Sequence, residues 1–331
     1  MDINELTDRI YITVKNHALE PGRYARWLWQ NEGGTRKLGN NEYGCADAAN
    51  ILYSIGRFPQ DPDERAACVK ALQAFQDTGT GLFYEGTHHA IHCTAHCIAA
   101  LELFDAKPLW PLNALAEQAK PNAIGDFLNG LDWERTAWSQ AHQGAGIYAA
   151  FILTGNASHA WQDAYFEWLT RNADPEFGIS RRGAIQAGLL RPSHHLFGWF
   201  HYLFNFSFAR RPFPFAERIV DTCIDLYKSG DLSEDFGRST NFMEIDWIYS
   251  LNRAAVQSGH RLAEARDCLR EFARQYIPNL LAIDWQKHED WNDLHMLFGA
   301  VCALAELQQA LPGELRSDYP LKLVLDRRPF I

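Results

Sequence analysis

The sequence predicts an all-α protein built from about six helical hairpins. Apolar, small-residue-rich segments alternate with amphipathic ones, and sustained strand-like alternation is missing. An Asp or His also recurs about every 50 residues near the start of each apolar segment. These six residues are Asp47, His96, His142, His195, Asp246 and His295. Because each repeat buries its face on its neighbours, such a chain grows as one unit, and we expect residues 1–331 to form a single domain.

The apolar segments are predicted to be buried inner helices, since a helix that is apolar all round has no face for water. Examples are CADAANILYSIG from Cys45 and HQGAGIYAAFILTG from His142. Residues 63–76, 157–172, 214–228 and 260–276 have apolar side chains at three- and four-residue spacing, which predicts outer amphipathic helices. The pattern therefore indicates two concentric rings of helices, with the leading ends of the inner helices at one rim of a central cavity. We expect the catalytic residues at this rim, namely the six recurring residues together with side chains of the loops before them.

Composition excludes several classes of function. The net charge is −10, with 31 basic and 41 acidic residues and no long basic run, so nucleic acid is not an expected partner. No signal-like segment and no apolar stretch of about 18 residues occurs. Seven scattered cysteines are then expected to be reduced thiols. We expect a cytoplasmic protein with no membrane partner.

The densest group of histidine and cysteine side chains lies in the segment THHAIHCTAHC. His88, His92 and His96 share one helical face at four-residue spacing, and Cys93 and Cys97 lie on another. Imidazole and thiolate at this spacing bind zinc in some proteins. The alternative is that the cysteines are small core residues and the histidines line a polar rim. We expect no cofactor, with zinc on His92, Cys93 and His96 as the alternative.

The loop LGNNEYGCAD brings Asn41, Tyr43 and Asp47 to the start of an inner helix. An amide beside a Tyr or His is suited to β-elimination from a uronate, because the amide neutralises the carboxylate while the base takes the C5 proton. In this interpretation Asn41 is the neutraliser and Tyr43 or His96 is the base. An ordinary capped turn is the alternative.

Two acids, Asp246 and Asp293, offer a different chemistry. Paired carboxylates act as acid and base about a glycosidic bond. Asp246 is embedded in an apolar helix, so it needs a partner or water and is expected to face the cavity. Helix capping is the alternative for Asp293.

Further side chains are predicted to bind the substrate. Trp faces stack on sugar rings, and an Arg neutralises a carboxylate. His201, surrounded by aromatic residues, is expected to be a core histidine instead. The predicted substrate-binding residues are Glu85, His92, Arg182, Trp199, Trp247 and Trp291.

The segment QDTGTGLFYEGTHHAIHCTAHCIAALELF, residues 76–104, resembles a prenyltransferase/squalene-cyclase repeat. As a whole the architecture is similar to the α/α-toroid superfamily, which includes terpenoid cyclases, protein prenyltransferases, six-hairpin glycosidases and the toroid domains of polysaccharide lyases. The resemblance implies an (α/α)6-type fold with a cavity, and it does not imply one chemistry. The DxDD and DDxxD motifs of terpene enzymes are absent.

These observations favour a carbohydrate-active enzyme, a lyase or hydrolase acting on an oligosaccharide that can include a uronate. The 13 histidines and 11 tryptophans support a polar, ring-shaped substrate. One alternative is a terpenoid cyclase or prenyltransferase-like enzyme with a hydrophobic substrate, and another is a non-catalytic binding toroid. The oligomeric state stays open.

Overall fold

The computed structural model describes residues 1–331 and confirms a mostly helical chain, with 56% helix in 14 helices. Strand is confined to a short antiparallel hairpin of β1, Ala18–Glu20, and β2, Arg23–Tyr24. No helix is both long and apolar enough to cross a membrane.

Six long helices are buried over most of their length, and we call them the buried helices. They are α2 (Glu42–Ser54), α4 (Ala90–Leu103), α6 (Ala137–Thr154), α8 (Pro192–Phe208), α10 (Met243–Ser258) and α13 (Leu294–Ala310). Each buried helix contacts the next one in this order, and α13 contacts α2, so the contacts close a cycle.

A second helix precedes each buried helix along the chain. These helices are α1 (Asn4–Asn16), α3 (Pro62–Gln73), α5 (Ile124–Asn129), α7 (His159–Asn172), α9 (Ala216–Ser229) and α11 (Leu262–Ala282). A 3-10 turn at Asn113–Leu115 and two four-residue helices, α12 (Glu289–Asn292) and α14 (Val324–Arg327), complete the set.

The four predicted amphipathic segments correspond to α3, α7, α9 and α11. The last of these runs six residues beyond its predicted end at Tyr276 and contains Pro278. Burial of Ile277 and Leu280 holds the helix together through the proline, although proline removes one backbone hydrogen bond. Sequence analysis did not assign α1, whose Leu6, Ile10 and Val14 are buried.

Glycine permits the closest helix contacts in the cycle. A Cβ at Gly198 of α8 would lie 2.8 Å from the carbonyl oxygen of Ala137 in α6. A Cβ at Gly299 of α13 would lie 2.4 Å from the carbonyl oxygen of Asn241, just before α10. The small residues of the apolar segments therefore let the buried helices approach one another closely.

The carboxyl-terminal segment crosses the enclosed space. Helix α14 contacts α2 and α8, which are not neighbours in the cycle. Phe330 is fully buried, with its ring centroid 5.0 Å from that of His92 and 5.9 Å from that of Phe204. Arg327 donates to the carbonyl oxygen of Glu102 in the last turn of α4. The segment thus begins at the carboxyl end of α4, where Arg327 lies, and reaches the amino-terminal part of that helix, where Phe330 contacts His92.

Candidate functional site

A cavity of about 650 Å³ opens among the amino-terminal ends of α4, α6, α8, α10 and α13. Six histidines line it: His88, His92, His142, His194, His201 and His295. The other lining residues are Arg135, Thr136, Trp138, Ser139, Leu190, Asn241, Phe242, Met243, Met296 and Ile331. The lining contains no Asp or Glu side chain.

Three of the six recurring polar residues meet beside this cavity. His96 Nε2 lies 2.8 Å and His295 Nδ1 lies 3.2 Å from the same Oδ1 atom of Asp47. A carboxylate can only accept hydrogen bonds, so both ring nitrogens donate. His295 lines the cavity and uses Nδ1 for Asp47, which leaves its Nε2 with the lone pair.

Burial and pairing set the charges of this group. Burial alone would raise the pKa of Asp47, but His295 and His96 outweigh it, so this pKa lies below its usual range. Burial lowers the pKa of His295 to about 4, against the opposing effect of Asp47. It also lowers the pKa of His96. At neutral pH the group is therefore an aspartate held by two neutral imidazoles.

Tyr43 lies behind the histidines and does not line the cavity. It is fully buried, and its hydroxyl forms a hydrogen bond with His92 Nδ1. Its ring stacks on His88 at a centroid distance of 5.0 Å and packs at 4.8 Å from His96. Burial raises the pKa of Tyr43 well above its usual range. Tyr43 and His96, the two predicted bases, thus have no open face toward the cavity.

Four cavity histidines form a row of neighbouring rings. Ring centroids are 4.6 Å apart for His88 and His92, 4.5 Å for His92 and His142, and 4.8 Å for His142 and His201. His201 Nδ1 donates to the Phe197 carbonyl oxygen at 3.0 Å, which leaves Nε2 with the lone pair. Burial lowers the pKa of His201 to about 4 and that of His92 and His142 well below the usual range. His201 was expected to be a core histidine. It is buried, and it also lines the cavity.

Hydrogen bonding also sets the role of His88 Nδ1. The Thr87 hydroxyl donates its single proton to the Glu85 carboxylate, which can only accept. His88 Nδ1, at 2.8 Å from the same hydroxyl oxygen, must then be the donor. The Nε2 atom, on the other side of the ring, takes no part in this hydrogen bond.

Arg26, in the loop after β2, connects that loop to this region through two acids. Its Nε and Nη2 atoms bind Asp293 at 2.8 and 3.0 Å, and its Nη1 lies 3.2 Å from Glu85. Asp293 also accepts the backbone N–H of His295 at 3.0 Å, so it caps α13. Both acids thus serve in ion pairs outside the cavity lining. The capping of α13 by Asp293 is the alternative that sequence analysis kept for this residue.

Other predicted catalytic residues also lie outside the cavity lining, which only His142 and His295 of that set reach. The Asn41 side chain accepts the N–H groups of Tyr43 and Gly44 and caps α2, so it is in the alternative position, a capped turn. His195 Nδ1 is bonded to Ser180 Oγ at 2.9 Å. Asp246, expected to face the cavity, is fully buried in the protein, and both of its carboxyl oxygens are without a hydrogen-bond partner.

The predicted substrate-binding residues are also mostly elsewhere. Only His92 lines the cavity. Arg182 lines a separate, smaller cavity together with Trp133 and Glu134. Trp199, Trp247 and Trp291, expected to stack on sugar rings, are each at most 1% exposed, so core packing leaves no ring face open to a ligand.

One group of side chains could hold a metal ion. Ligand atoms of Asp47, His96 and His295 lie within 4.8 Å of one another, a two-histidine, one-carboxylate set. Cys93, expected as a zinc ligand, instead donates to the carbonyl oxygen of His88 and is outside this set. A metal-bound histidine normally donates its second ring N–H, whereas His96 Nδ1 has no partner. The donor set therefore fits a metal only in part, and the hydrogen bonds to Asp47 account for its geometry.

Several residues in the cavity lining or beside it were missed by sequence analysis. Arg135 and Asn241 carry no motif, and Arg26 has its acid partner 267 residues away. His88 was part of the recognised four-residue spacing and could have been chosen on that signal. Comparison of the chain with protein families, with curated proteins and with solved structures found no match.

Proposed function

We propose that the cycle of buried helices is the inner ring of an (α/α)6-type toroid and that this chain is an enzyme with its site in the histidine-lined cavity. The closed order of contacts from α2 to α13 and back supports the ring. So does the second helix that precedes each buried helix along the chain.

The reaction we propose is proton abstraction from a polar, sugar-like substrate, which makes the enzyme a carbohydrate lyase. One observation carries this proposal. His295 lines the cavity while its Nδ1 is held by the buried Asp47 at 3.2 Å. A carboxylate that fixes the tautomer of an imidazole leaves the other ring nitrogen ready to accept a proton.

A lyase is better supported than a hydrolase. Glycoside hydrolysis needs two carboxyl groups on either side of the scissile bond. Asp246 and Asp293 are absent from a cavity lining that contains no acid at all. Asp293 is bonded to Arg26, and burial raises the pKa of Asp246 well above its usual range. Neither is placed to act on a ligand in the cavity.

In the proposed reaction His295 Nε2 takes the proton from the carbon next to the acidic group of a uronate. The electron pair of that C–H bond forms a carbon–carbon double bond, and the adjacent C–O bond breaks. The leaving oxygen takes a proton from solvent, and the proton on His295 is later released. A cavity of about 650 Å³ is of the size that proteins use for small ligands.

The isoprenoid alternative has less support from the cavity lining. A carbocation would need aromatic faces for cation–π stabilisation, and Trp138 and Phe242 are the only Trp, Tyr or Phe side chains that line the cavity. Imidazoles and hydroxyls make up much of the remainder.

The experiment is an assay of the purified chain on a panel of uronate-containing and neutral oligosaccharides, monitored by the ultraviolet absorbance of a new double bond. His295→Ala is expected to lower kcat by about 10²- to 10⁴-fold, the usual contribution of a general base. His260→Ala is the matched control, because His260 also pairs with an acid, Asp221 of α9, at 2.8 Å, but lies in the loop before α11 and outside the cavity lining. Full activity in His295→Ala, or no cleavage of any uronate, would contradict the proposal.

A further inference from the structure

We propose that the cavity binds the carboxylate of an acidic ligand through Arg135, the cationic side chain at its mouth. This inference rests on the proposed function for the sugar character of the ligand, and on the cavity alone for its charge.

Arg135 has a guanidinium with no partner in the protein. Its side chain forms no hydrogen bond and no ion pair, and only its backbone N–H is engaged, with Asp132. It is exposed and is the only Arg or Lys in the cavity lining. By contrast, Arg26 and many other arginines are paired with acids.

The polar neighbours of Arg135 are already engaged. Ser139 donates to the carbonyl oxygen of Thr136 at 3.1 Å. Asn241 donates to Ser239 at 2.9 Å and accepts the N–H of Met243 at 2.7 Å. Arg135 is therefore the one Arg or Lys of the lining, and all of its side-chain donors are free for a ligand.

The charge distribution around the cavity favours an anion. The chain has a net charge of −10, yet no Asp or Glu lines the cavity. The amino-terminal ends of five buried helices surround it, each with a partial positive charge. Glu134, the acid next to Arg135 in the chain, lines the separate cavity with Arg182. The lining thus offers an acidic ligand one cation and no anionic side chain, while the anion Asp47 lies behind His295.

A carboxylate fits Arg135 by geometry as well as by charge. The planar guanidinium presents parallel N–H donors that match the two oxygens of a carboxylate. In a uronate this contact would also neutralise the acid and make the neighbouring C–H bond easier to deprotonate. The role expected from sequence for Asn41, which instead caps α2, is therefore given to Arg135, a specificity-determining and positioning residue.

The test compares acids with their neutral esters. Calorimetry would measure binding of galacturonate, mannuronate and glucuronate disaccharides and of their methyl esters to the folded chain. We expect at least one acid to bind about ten-fold or more tightly than its ester, since hydrogen bonds between charged groups contribute about 1.5–3 kcal/mol. Added salt should weaken the binding of the acid and leave the binding of the ester unchanged.

Arg135→Gln should reduce binding of the preferred acid by about 10- to 100-fold and remove the preference over its ester. Arg266→Gln is the matched control, because Arg266 is an exposed arginine without a side-chain partner on α11, far from the lining. Circular dichroism checks that both variants fold.

Equal binding of every acid and its ester, or an acid preference that survives in Arg135→Gln, would overturn the inference. An acid that binds through Arg135 but is never cleaved would count against the proposed lyase and would leave the anion site intact. If an ester were cleaved as fast as its acid, that result would count against the anion site and would leave the proposed lyase standing.

Discussion

Asp47 shows how one buried carboxylate organises a site. It is fully buried in α2 and accepts hydrogen bonds from two imidazoles, one on each of the helices next to α2 in the cycle, α4 and α13. Its second oxygen has no partner. The pairing holds the pKa of Asp47 below its usual range despite burial, so the carboxylate is retained as an anion that orients His295.

Metal analysis separates this arrangement from a metal site. We expect the purified chain to hold far less than one equivalent of metal, and a chelator to leave its thermal midpoint unchanged, because His96 Nδ1 lacks the supporting hydrogen bond of a metal ligand. Elemental analysis and a melting curve with and without chelator are the measurements. One equivalent of zinc that disappears in Asp47→Ala and stays in Asp77→Ala, an exposed-loop control, would contradict this expectation.

Glu244 gives a residue-scale prediction of pH dependence. It is fully buried in α10, where Oε1 accepts the Gly237 N–H at 2.8 Å and Oε2 has no partner. Burial raises its pKa from 4.5 to about 7. The folded state therefore holds this proton more tightly than the unfolded chain, so the stabilisation is complete below pH 4.5 and is lost as the pH rises through 7.

Glu244→Gln should abolish this dependence. The free energy of unfolding of the wild type relative to Glu244→Gln is expected to fall by about 2–3 kcal/mol between pH 5 and pH 8. Urea denaturation at the two pH values measures it. Glu117→Gln, an exposed acid paired with Lys120, should show no such change, and a pH-independent difference for Glu244→Gln would refute the assignment.

At the scale of elements, the loop after β2 is fastened to the start of α13 by Arg26. The guanidinium joins Asp293, the cap of α13, and Glu85, in the loop before α4. All three side chains are at most 12% exposed. A buried ion pair loses much free energy when one partner is removed, because the other charge stays buried and uncompensated.

Arg26→Met is accordingly expected to lower the free energy of unfolding by about 3–5 kcal/mol. The control is Arg171→Met, since Arg171 and Glu167 form an exposed pair at 4.0 Å that contributes about 0.5 kcal/mol or less. Urea denaturation measures both variants. A loss of under about 1 kcal/mol for Arg26→Met would show that the network does not fasten the loop.

At the scale of the whole molecule, the carboxyl-terminal segment packs between the buried helices of the cycle. Phe330 packs against His92 of α4 and Phe204 of α8, two buried helices that are not neighbours in the cycle, and Ile331 lines the cavity. The aromatic ring thus fills the centre below the histidines.

Phe330→Ala should cost about 3–5 kcal/mol of unfolding free energy, the usual loss for a truncated core phenylalanine, and should loosen the floor of the cavity. Leu189→Ala is the control, because Leu189 is 50% exposed and a surface change of this kind costs about 0.5 kcal/mol or less. Thermal and urea denaturation measure both. If Phe330→Ala were as stable as the control, the segment would not occupy the centre in solution.

Sequence by itself determined the helical class and the spacing of the buried helices. Hydrophobic periodicity is a property of a short stretch of sequence, so it predicts the positions of α3, α7, α9 and α11 to within a few residues. The extension of α11 is the exception. Recurring polar residues also led to Asp47, His96 and His295, which the tertiary structure brings into one cluster.

Only the tertiary structure decided which of these side chains face the cavity. Tyr43 and Asp246 sit at the same kind of helix start as His142, yet packing buries the first two and leaves the third in the lining. Whether a polar residue at the mouth of a helix points inward or into a neighbour depends on helix rotation and contacts far along the chain. The approach of Arg26 to Asp293 across 267 residues is such a contact, and no local pattern encodes it.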